Sequence, residues 1–303
     1  MAISRRSLIK SSGLLGAAAL LSGKRAFAAA SRIPPGLQLW AVKDELEKAF
    51  DATLRAVGQI GYRRVEAAGW YGRTPAQFRS ALAAAGLDCY SAHYALGDLI
   101  EDTEGRLAFA RDVGVRYIVA SSPKPSRPLA PGRDWVRAIA EAMTLEDWRS
   151  NAEAMIRIAA RAGAMGLRFA YHNHPAEFLD YDGKLAFAEL LRLTDPARVA
   201  FEVDIGWVAA AGHDPVKVLR QHGNRIQLLH IKDLKTRART PSQIAEDLTT
   251  VPVGRGSIDW ATVFHAAQET QVAAWFVEQE PPNVQPPLLS VRQSLQYLKS
   301  LSA

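Results

Sequence analysis

The chain has 303 residues, 48 % of them apolar and 22 % charged, with a formal net charge of +6 and one cysteine. That length and apolar content exclude a disordered or disulfide-stapled chain and allow one large domain or two small ones. The first 28 residues hold Arg5, Arg6, Lys10, Lys24 and Arg25 and no acid, so without them 32 basic residues face 31 acidic ones, a net charge near +1 that gives no case for a nucleic-acid partner.

Ser4-Arg5-Arg6-Ser7-Leu8-Ile9-Lys10 precedes an apolar run from Leu14 to Leu21 and an Ala26-Phe27-Ala28 cleavage pattern. This reads as a signal peptide over residues 1–28, cut after Ala28, with residues 29–35 as a linker. The paired arginines resemble a twin-arginine signal, which makes the export machinery a partner and the periplasm the destination. The apolar run is too short for a stable membrane anchor. A lone Cys89 forms no internal disulfide, which suits a chain folded in the cytoplasm before export, and it reads as a core residue rather than a ligand.

From there apolar runs alternate with amphipathic stretches. The strand candidates are Leu37–Trp40, Arg64–Ala67, Leu87–His93, Val115–Ala120, Leu167–His172, Val199–Asp204, Ile226–His230 and Ala274–Glu278. Helices are expected over Glu45–Ile60, from Thr74-Pro75 to Ala85, over Leu99–Val113, Trp135–Met143, Leu145–Ala162, Lys184–Leu193, from Asp214-Pro215 to Gln221, over Asp259–Thr270 and Leu288–Leu301. Ser121–Gly132, with four prolines, reads as a long rigid loop, because the alternation resumes unchanged after it. Eight strands, each followed by a helix, predict a single-domain (β/α)8 TIM barrel over residues 36–303. A doubly wound sheet would place a glycine-rich loop after the first strand, where Ala41-Val42-Lys43-Asp44 stands.

The strands end in Glu, Asp and His. Glu66, His93, His172, Glu202, Asp204, His230 and Glu278 all fall at or near C-terminal strand ends, where a barrel places its active site. Tyr171-His172-Asn173-His174-Pro175-Ala176-Glu177-Phe178 is the densest stretch, and alternation puts His172 and His174 on one face. His172, Asp204, His230 and Glu278 are spaced by whole βα units, so closing the barrel would gather them. Mixed nitrogen and oxygen donors suit one divalent ion, Mn, Zn, Co or Fe. For any single residue the competing reading is a solvated rim group or an ion-pair partner, and Lys232 would then pair with Asp233 or Glu202.

Tyr171–Phe178, Phe201–Trp207, Leu229–Leu234, Val253–Trp260 and Phe276–Glu280, in that order, resemble successive blocks of the sugar phosphate isomerase/epimerase family, part of the xylose isomerase-like barrel superfamily. The resemblance covers residues 36 to 300 and fixes no substrate. It implies a metal held by strand-end Glu, Asp, His and Glu. Asp204, His230 and Glu278 match the last three, while His172 stands at the first, which removes a carboxylate used in 3-epimerase chemistry and brings the chain nearer the inosose dehydratase-like branch.

The expected activity is metal-dependent isomerisation or epimerisation of a sugar, keto-sugar or cyclic polyol by proton abstraction next to a carbonyl. Dehydration or lysis of an inosose or 3-keto-glycoside is the alternative, and a non-catalytic sugar-binding barrel or an endonuclease IV-like phosphodiesterase stand as readings of other classes. Glu278 or Glu177 would be the base, with His174 or His93 as its acid partner. Lys232 would hold a developing oxyanion. Glu66 and His93 would contact a small carbohydrate, and Trp40, Trp70 and Trp207, which follow strands one, two and six, would stack on it. Nothing in the sequence sets the oligomeric state, and a homo-oligomer is compatible with it.

Overall fold

The computed structural model describes residues 33–301. The expected signal peptide, its cleavage point and most of the linker lie outside the described residues. Among these, no helix is long and apolar enough to cross a membrane.

Eight parallel strands close into a barrel in which each strand pairs with its sequence neighbours and the last pairs with the first. Numbering the barrel strands alone, these are β1 (Gly36–Gln38), β2 (Arg64–Ala67), β3 (Asp88–Ala95), β4 (Tyr117–Ser122), β5 (Arg168–His172), β6 (Val199–Asp204), β7 (Ile226–Ile231) and β8 (Ala274–Val277). Below their polar C-terminal ends the strands are largely apolar on both faces, because helices cover the outside and side chains fill the inside. Helix ends follow their sequence signals. Thr74 and Gln77 form a capping box in front of Pro75–Ala85, and Gly86 ends that helix at a φ of +67°.

Several boundaries differ from the sequence expectation. The first strand stops at Gln38 because Leu39–Val42 turns into a 3-10 helix, with the Gln38 side chain accepting from Trp40 N. Residues expected as one helix over 99–113 split at Asp102 into Leu96–Glu101 and Thr103–Val113. An additional short helix, Ile205–Ala210, starts directly after β6, capped by the Asp204 carboxylate. Gly206 lets this helix pass close to β7, since a Cβ there would lie 2.7 Å from the Lys232 carbonyl oxygen.

The barrel interior has a dry lower layer. Tyr90, Tyr117, Val119, Ala170, Ala200, Leu228, Ala274 and Phe276 form one buried cluster, with the two tyrosine rings stacked at 5.7 Å. Cys89 is buried on the outer side of β3 in the main core, and burial pushes its thiol pKa up. Both long loops are pinned. Asn151 bonds Lys124 through both its amide oxygen and its amide nitrogen, at 2.7 and 2.8 Å, and the Asp147 carboxylate accepts from Ser126 N, so the proline-rich loop is docked onto the helix Leu145–Ala164. The Asp233 carboxylate accepts from Gly254 N, Gly256 N and Trp260 Nε1. The Gly254-Arg255-Gly256 turn therefore wraps this side chain, and Asp233 is spent as an anchor rather than as a partner of Lys232.

Candidate functional site

Period-two alternation sets which side chains enter the barrel. Glu202 and Asp204 on β6 share the inner face, as do His230 at the end of β7 and Lys232 just beyond it. Strand register then places His172 beside Glu202, Asp204 beside His230, and Glu66 beside both Gln38 and Ser91. The result is a polar layer resting on the apolar one.

His230 lies at its centre and is fully buried. Its Nδ1 faces Glu278 Oε2 at 2.8 Å and Asp204 Oδ2 at 3.8 Å. Its Nε2 faces Glu66 Oε1 at 2.7 Å and Glu202 Oε2 at 3.2 Å. One imidazole thus separates two acidic compartments. On the Nδ1 side, Lys232 Nζ sits 2.9 Å from both Asp204 Oδ2 and Glu278 Oε2, 2.6 Å from Glu280 Oε1, and 4.0 Å above the Trp207 ring. On the Nε2 side, His93 Nε2 lies 2.7 Å from Glu202 Oε2 and 2.9 Å from Glu66 Oε1. Glu66 also accepts from Gln38 Nε2 at 2.9 Å and Ser91 Oγ at 2.5 Å.

Burial opposes charge here, and neighbours decide the outcome. For Glu66, burial pulls upward, but His93 and His230 hold the carboxyl well below the usual range. For Lys232, burial pulls downward and is outweighed by Asp204, Glu278 and Glu280, which keep the ammonium protonated. Burial raises Asp204 to about 6 against the pull of Lys232 and His230. Burial, with nearby positive charge, lowers both His172 and His174. The carboxylates of Glu66 and Glu202 overcome burial at His93 and raise it to about 9.

Two overlapping donor sets suit a metal ion. His172, Asp204, His230 and Glu278 are all buried, with ligand atoms within 4.8 Å of one another, and the same holds for the set His93, His172, Glu202 and His230, with only His93 partly exposed. Asp204 Oδ1 is spent on the backbone N–H of Trp207, which aims Oδ2 into the first set. Among the described residues, His172 Nδ1 and Glu202 Oε1 are buried without a hydrogen-bond partner, while Asp204 Oδ2 faces the Lys232 ammonium at 2.9 Å. Buried acceptors with unspent lone pairs are what a cation needs, so the donor set fits a divalent ion.

Above this layer opens a cavity of about 560 Å³, lined by Gln38, His93, His172, His174, Glu278 and Glu280 at its floor and by Trp40, Trp70, Tyr94 and Trp135 toward its mouth. Trp40 and Trp135 are 39 % and 41 % exposed. His174 packs edge-on against Trp135 at 4.7 Å and against His172 at 4.9 Å.

Three expected roles do not survive this geometry. Glu177 does not line the cavity: its oxygens accept from Tyr171 Oη at 2.6 Å and from His174 N at 3.0 Å, closing the 3-10 turn Pro175–Phe178, and burial raises its pKa to about 8. It is an anchor for His174 rather than a base. Glu177→Gln is expected to cost about 1 kcal/mol of stability through the lost His174 N–H bond while leaving catalysis within a few-fold, whereas loss of a true base costs about 100-fold or more. Parallel denaturation and steady-state rates check this. Trp207 is buried beneath Lys232 and His174 and does not reach the cavity, so sugar stacking falls to Trp40, Trp70 and Trp135. Glu66 is sealed under His230 and His93, and its contact with substrate is replaced by a contact with imidazole.

From the sequence, Glu202 and Glu280 are strand-end acids with no assigned role, and Trp135 is not singled out at all. Glu202 had a signal, since it stands two residues before Asp204 and must share its face. Trp135 had none, because its place at the mouth depends on how the proline-rich loop docks.

A parallel (β/α)8 barrel with carboxylate and imidazole donors at the C-terminal ends of its strands defines a TIM barrel suited to metal-assisted chemistry. A family profile of xylose isomerase-like TIM barrels matches residues 54–301, and the chain belongs to that family. Its relatives include the inosose dehydratase of Geobacillus kaustophilus, 22 % identical over 270 residues that cover 83 % of this chain and 87 % of that protein. A sugar phosphate isomerase/epimerase from Parabacteroides distasonis shares the fold with a TM-score of 0.70 at 22 % identity, over 89 % of this chain and 94 % of that one. The IOLI protein, solved with a zinc atom, shares it with a TM-score of 0.63 at 14 % identity, over 89 % and 98 % of the two chains.

Proposed function

We propose that this protein is a divalent-metal-dependent dehydratase of an inosose-type substrate, a cyclic polyol bearing one ketone. The observation that carries it is the buried His172, Asp204, His230 and Glu278 set at the floor of an aromatic-walled cavity. The inosose dehydratase relative and the imidazole in place of a carboxylate at position 172 favour elimination over epimerisation. The bound ion would supply Lewis-acid polarisation of the substrate carbonyl.

The chain's own groups do the rest. Trp40, Trp70 and Trp135 hold the apolar face of the ring and narrow the entrance, which excludes water. His174 lines the cavity, and burial keeps it neutral, so its imidazole is free to accept the proton from the carbon next to the carbonyl. The C–H electrons form the new C=C bond and the neighbouring hydroxyl departs. His174 returns its proton to that hydroxyl, so one water is released and the enzyme ends unchanged. Lys232 keeps Asp204, Glu278 and Glu280 in place from below. Glu278, tied to His230 and Lys232, serves as ligand rather than as base.

The test is turnover of an inosose by zinc- or manganese-loaded protein, followed by the ultraviolet absorbance of the conjugated product and the loss of one water by mass. Solvent deuterium incorporation with every hydroxyl retained would instead mark an epimerase, and no exchange at all would remove carbon-acid chemistry. His174→Ala is expected to lower kcat by about 100- to 10,000-fold with metal content unchanged. A parallel loss of metal would place His174 among the ligands.

A further inference from the structure

The opposite end of the barrel takes no part in the proposed dehydration. Below the donor layer and the apolar cluster lies a cationic mouth, where the strands begin. The alternation that turns Ala170 and His172 inward also turns Arg168 inward, and Arg198 stands in the same relation to Ala200. Tyr90 and Tyr117, stacked at 5.7 Å, plug this mouth. Three guanidiniums lie over their faces. Arg64 is 4.1 Å and Arg116 5.3 Å from the centre of the Tyr90 ring, and Arg168 is 4.9 Å from that of Tyr117. Among the described residues one carboxylate answers the three, that of Asp88, 3.5 Å from Arg64. Arg225, just before β7, is the contrasting case, since its donors are spent on the carbonyls of Leu191 and Val199 and on Thr194 Oγ1.

Stacking occupies the face of a guanidinium and leaves the N–H donors around its edge. It also restrains the group, so an anion that bonds to it has less to order. Beside Arg168 opens a cavity of about 340 Å³, with Arg168, Arg198 and Gln227 in its polar lining and Ala160, Ala164 and Pro196 in its apolar wall. The Tyr117 hydroxyl donates to Gln227 Oε1 at 2.7 Å and so orients that side chain. Arg198 pairs with Asp195 at 3.4 Å, but the two side chains are 58 % and 41 % exposed. Solvent screens such a pair, and an incoming anion readily replaces its carboxylate.

We propose that this pocket binds a small phosphate monoester, its phosphate held by Arg168 and Arg198 and its short carbon body laid against the alanine wall. Two guanidinium forks suit the several oxygens of a tetrahedral phosphate. The apolar wall, and a volume larger than a bare anion fills, favour an ester over free phosphate. The pocket lies at the far end of the barrel from His172, Asp204, His230 and Glu278, so it stands whether or not that set dehydrates an inosose.

The experiment is calorimetric titration of the full chain at low ionic strength with glycerol 3-phosphate. Separate arms use inorganic phosphate, glycerol and phosphatidylglycerol vesicles. One glycerol 3-phosphate per chain is expected, with inorganic phosphate weaker and glycerol not bound. Arg168→Gln and Arg198→Gln should each weaken binding by about 10-fold or more. Arg168→Lys keeps the charge but loses the fork, and should fall between the wild type and Arg168→Gln. Arg111→Gln, which removes an exposed partner of Asp112 elsewhere on the surface, should leave binding unchanged. Circular dichroism checks that each variant is folded, and the exposed Arg198 keeps the test open if the Arg168 variants are not. Absence of saturable binding overturns the proposal. So does binding that the folded glutamine variants retain, which would move the phosphate to the metal layer. Binding to vesicles without binding of the soluble ester also overturns it, since the mouth would then face a lipid surface.

Discussion

Replacing Lys232 with methionine is expected to lower the melting temperature of the metal-free protein by roughly 10 °C. Removing one partner of a buried ion pair costs about 3–5 kcal/mol, and about 1 kcal/mol moves a domain of this size by a few degrees. The cause is electrostatic rather than volumetric. Methionine fills a similar space over the Trp207 ring, but Asp204, Glu278 and Glu280 then face one another without the ammonium that now lies within 2.9 Å of each. Zinc should restore more stability to the variant than it adds to the wild type, because the divalent charge takes over what the ammonium supplied. Calorimetric melts with and without zinc check this. Equal gains in both proteins would show that Lys232 and the metal do not share these carboxylates.

The second large effect is expected at His172. His172→Ala should weaken metal binding by about 100-fold or more, beyond the 10- to 100-fold that the loss of an outer-shell partner brings. The residue is buried at the end of β5, its Nδ1 has no hydrogen-bond partner among the described residues, and it belongs to both donor sets. Isothermal titration with Zn2+ reads the effect directly. Unchanged affinity would transfer the ligand role to His174, whose ring lies 4.9 Å away.

Much of the barrel was legible in the chain. Runs such as Tyr117 to Ala120 and Ala274–Val277 are apolar on both faces, which only a strand covered on both sides tolerates. Helix stops at Gly61, Gly86 and Gly114 mark left-handed caps that read directly as punctuation. The less legible parts were those in which a polar side chain overrode the local pattern. Asp204 caps a short helix that its apolar sequence, Ile205–Ala210, does not announce, and Gln38 bends the end of β1 into a 3-10 turn.

The candidate site divides in the same way. Strand-end position named His93, His172, Asp204, His230 and Glu278, because the C-terminal ends of the strands converge whatever the loops do. Position along a strand does not say which of two carboxylates faces substrate and which faces a neighbour. Glu177 and Glu202 exchange importance for that reason: the first is claimed by Tyr171 and a backbone N–H, while the second is ringed by three imidazoles.

By itself, then, the sequence determined the alternation of strands and helices, the closed barrel and the end of it that carries the chemistry, since these depend on periodicity and spacing along the chain. The tertiary structure alone decided that His230 separates two acidic compartments, that Lys232 joins three carboxylates, and that Trp135 rather than Trp207 walls the cavity. Those are matters of register between strands and of loop docking, and they place residues far apart in sequence within 3 to 5 Å of one another.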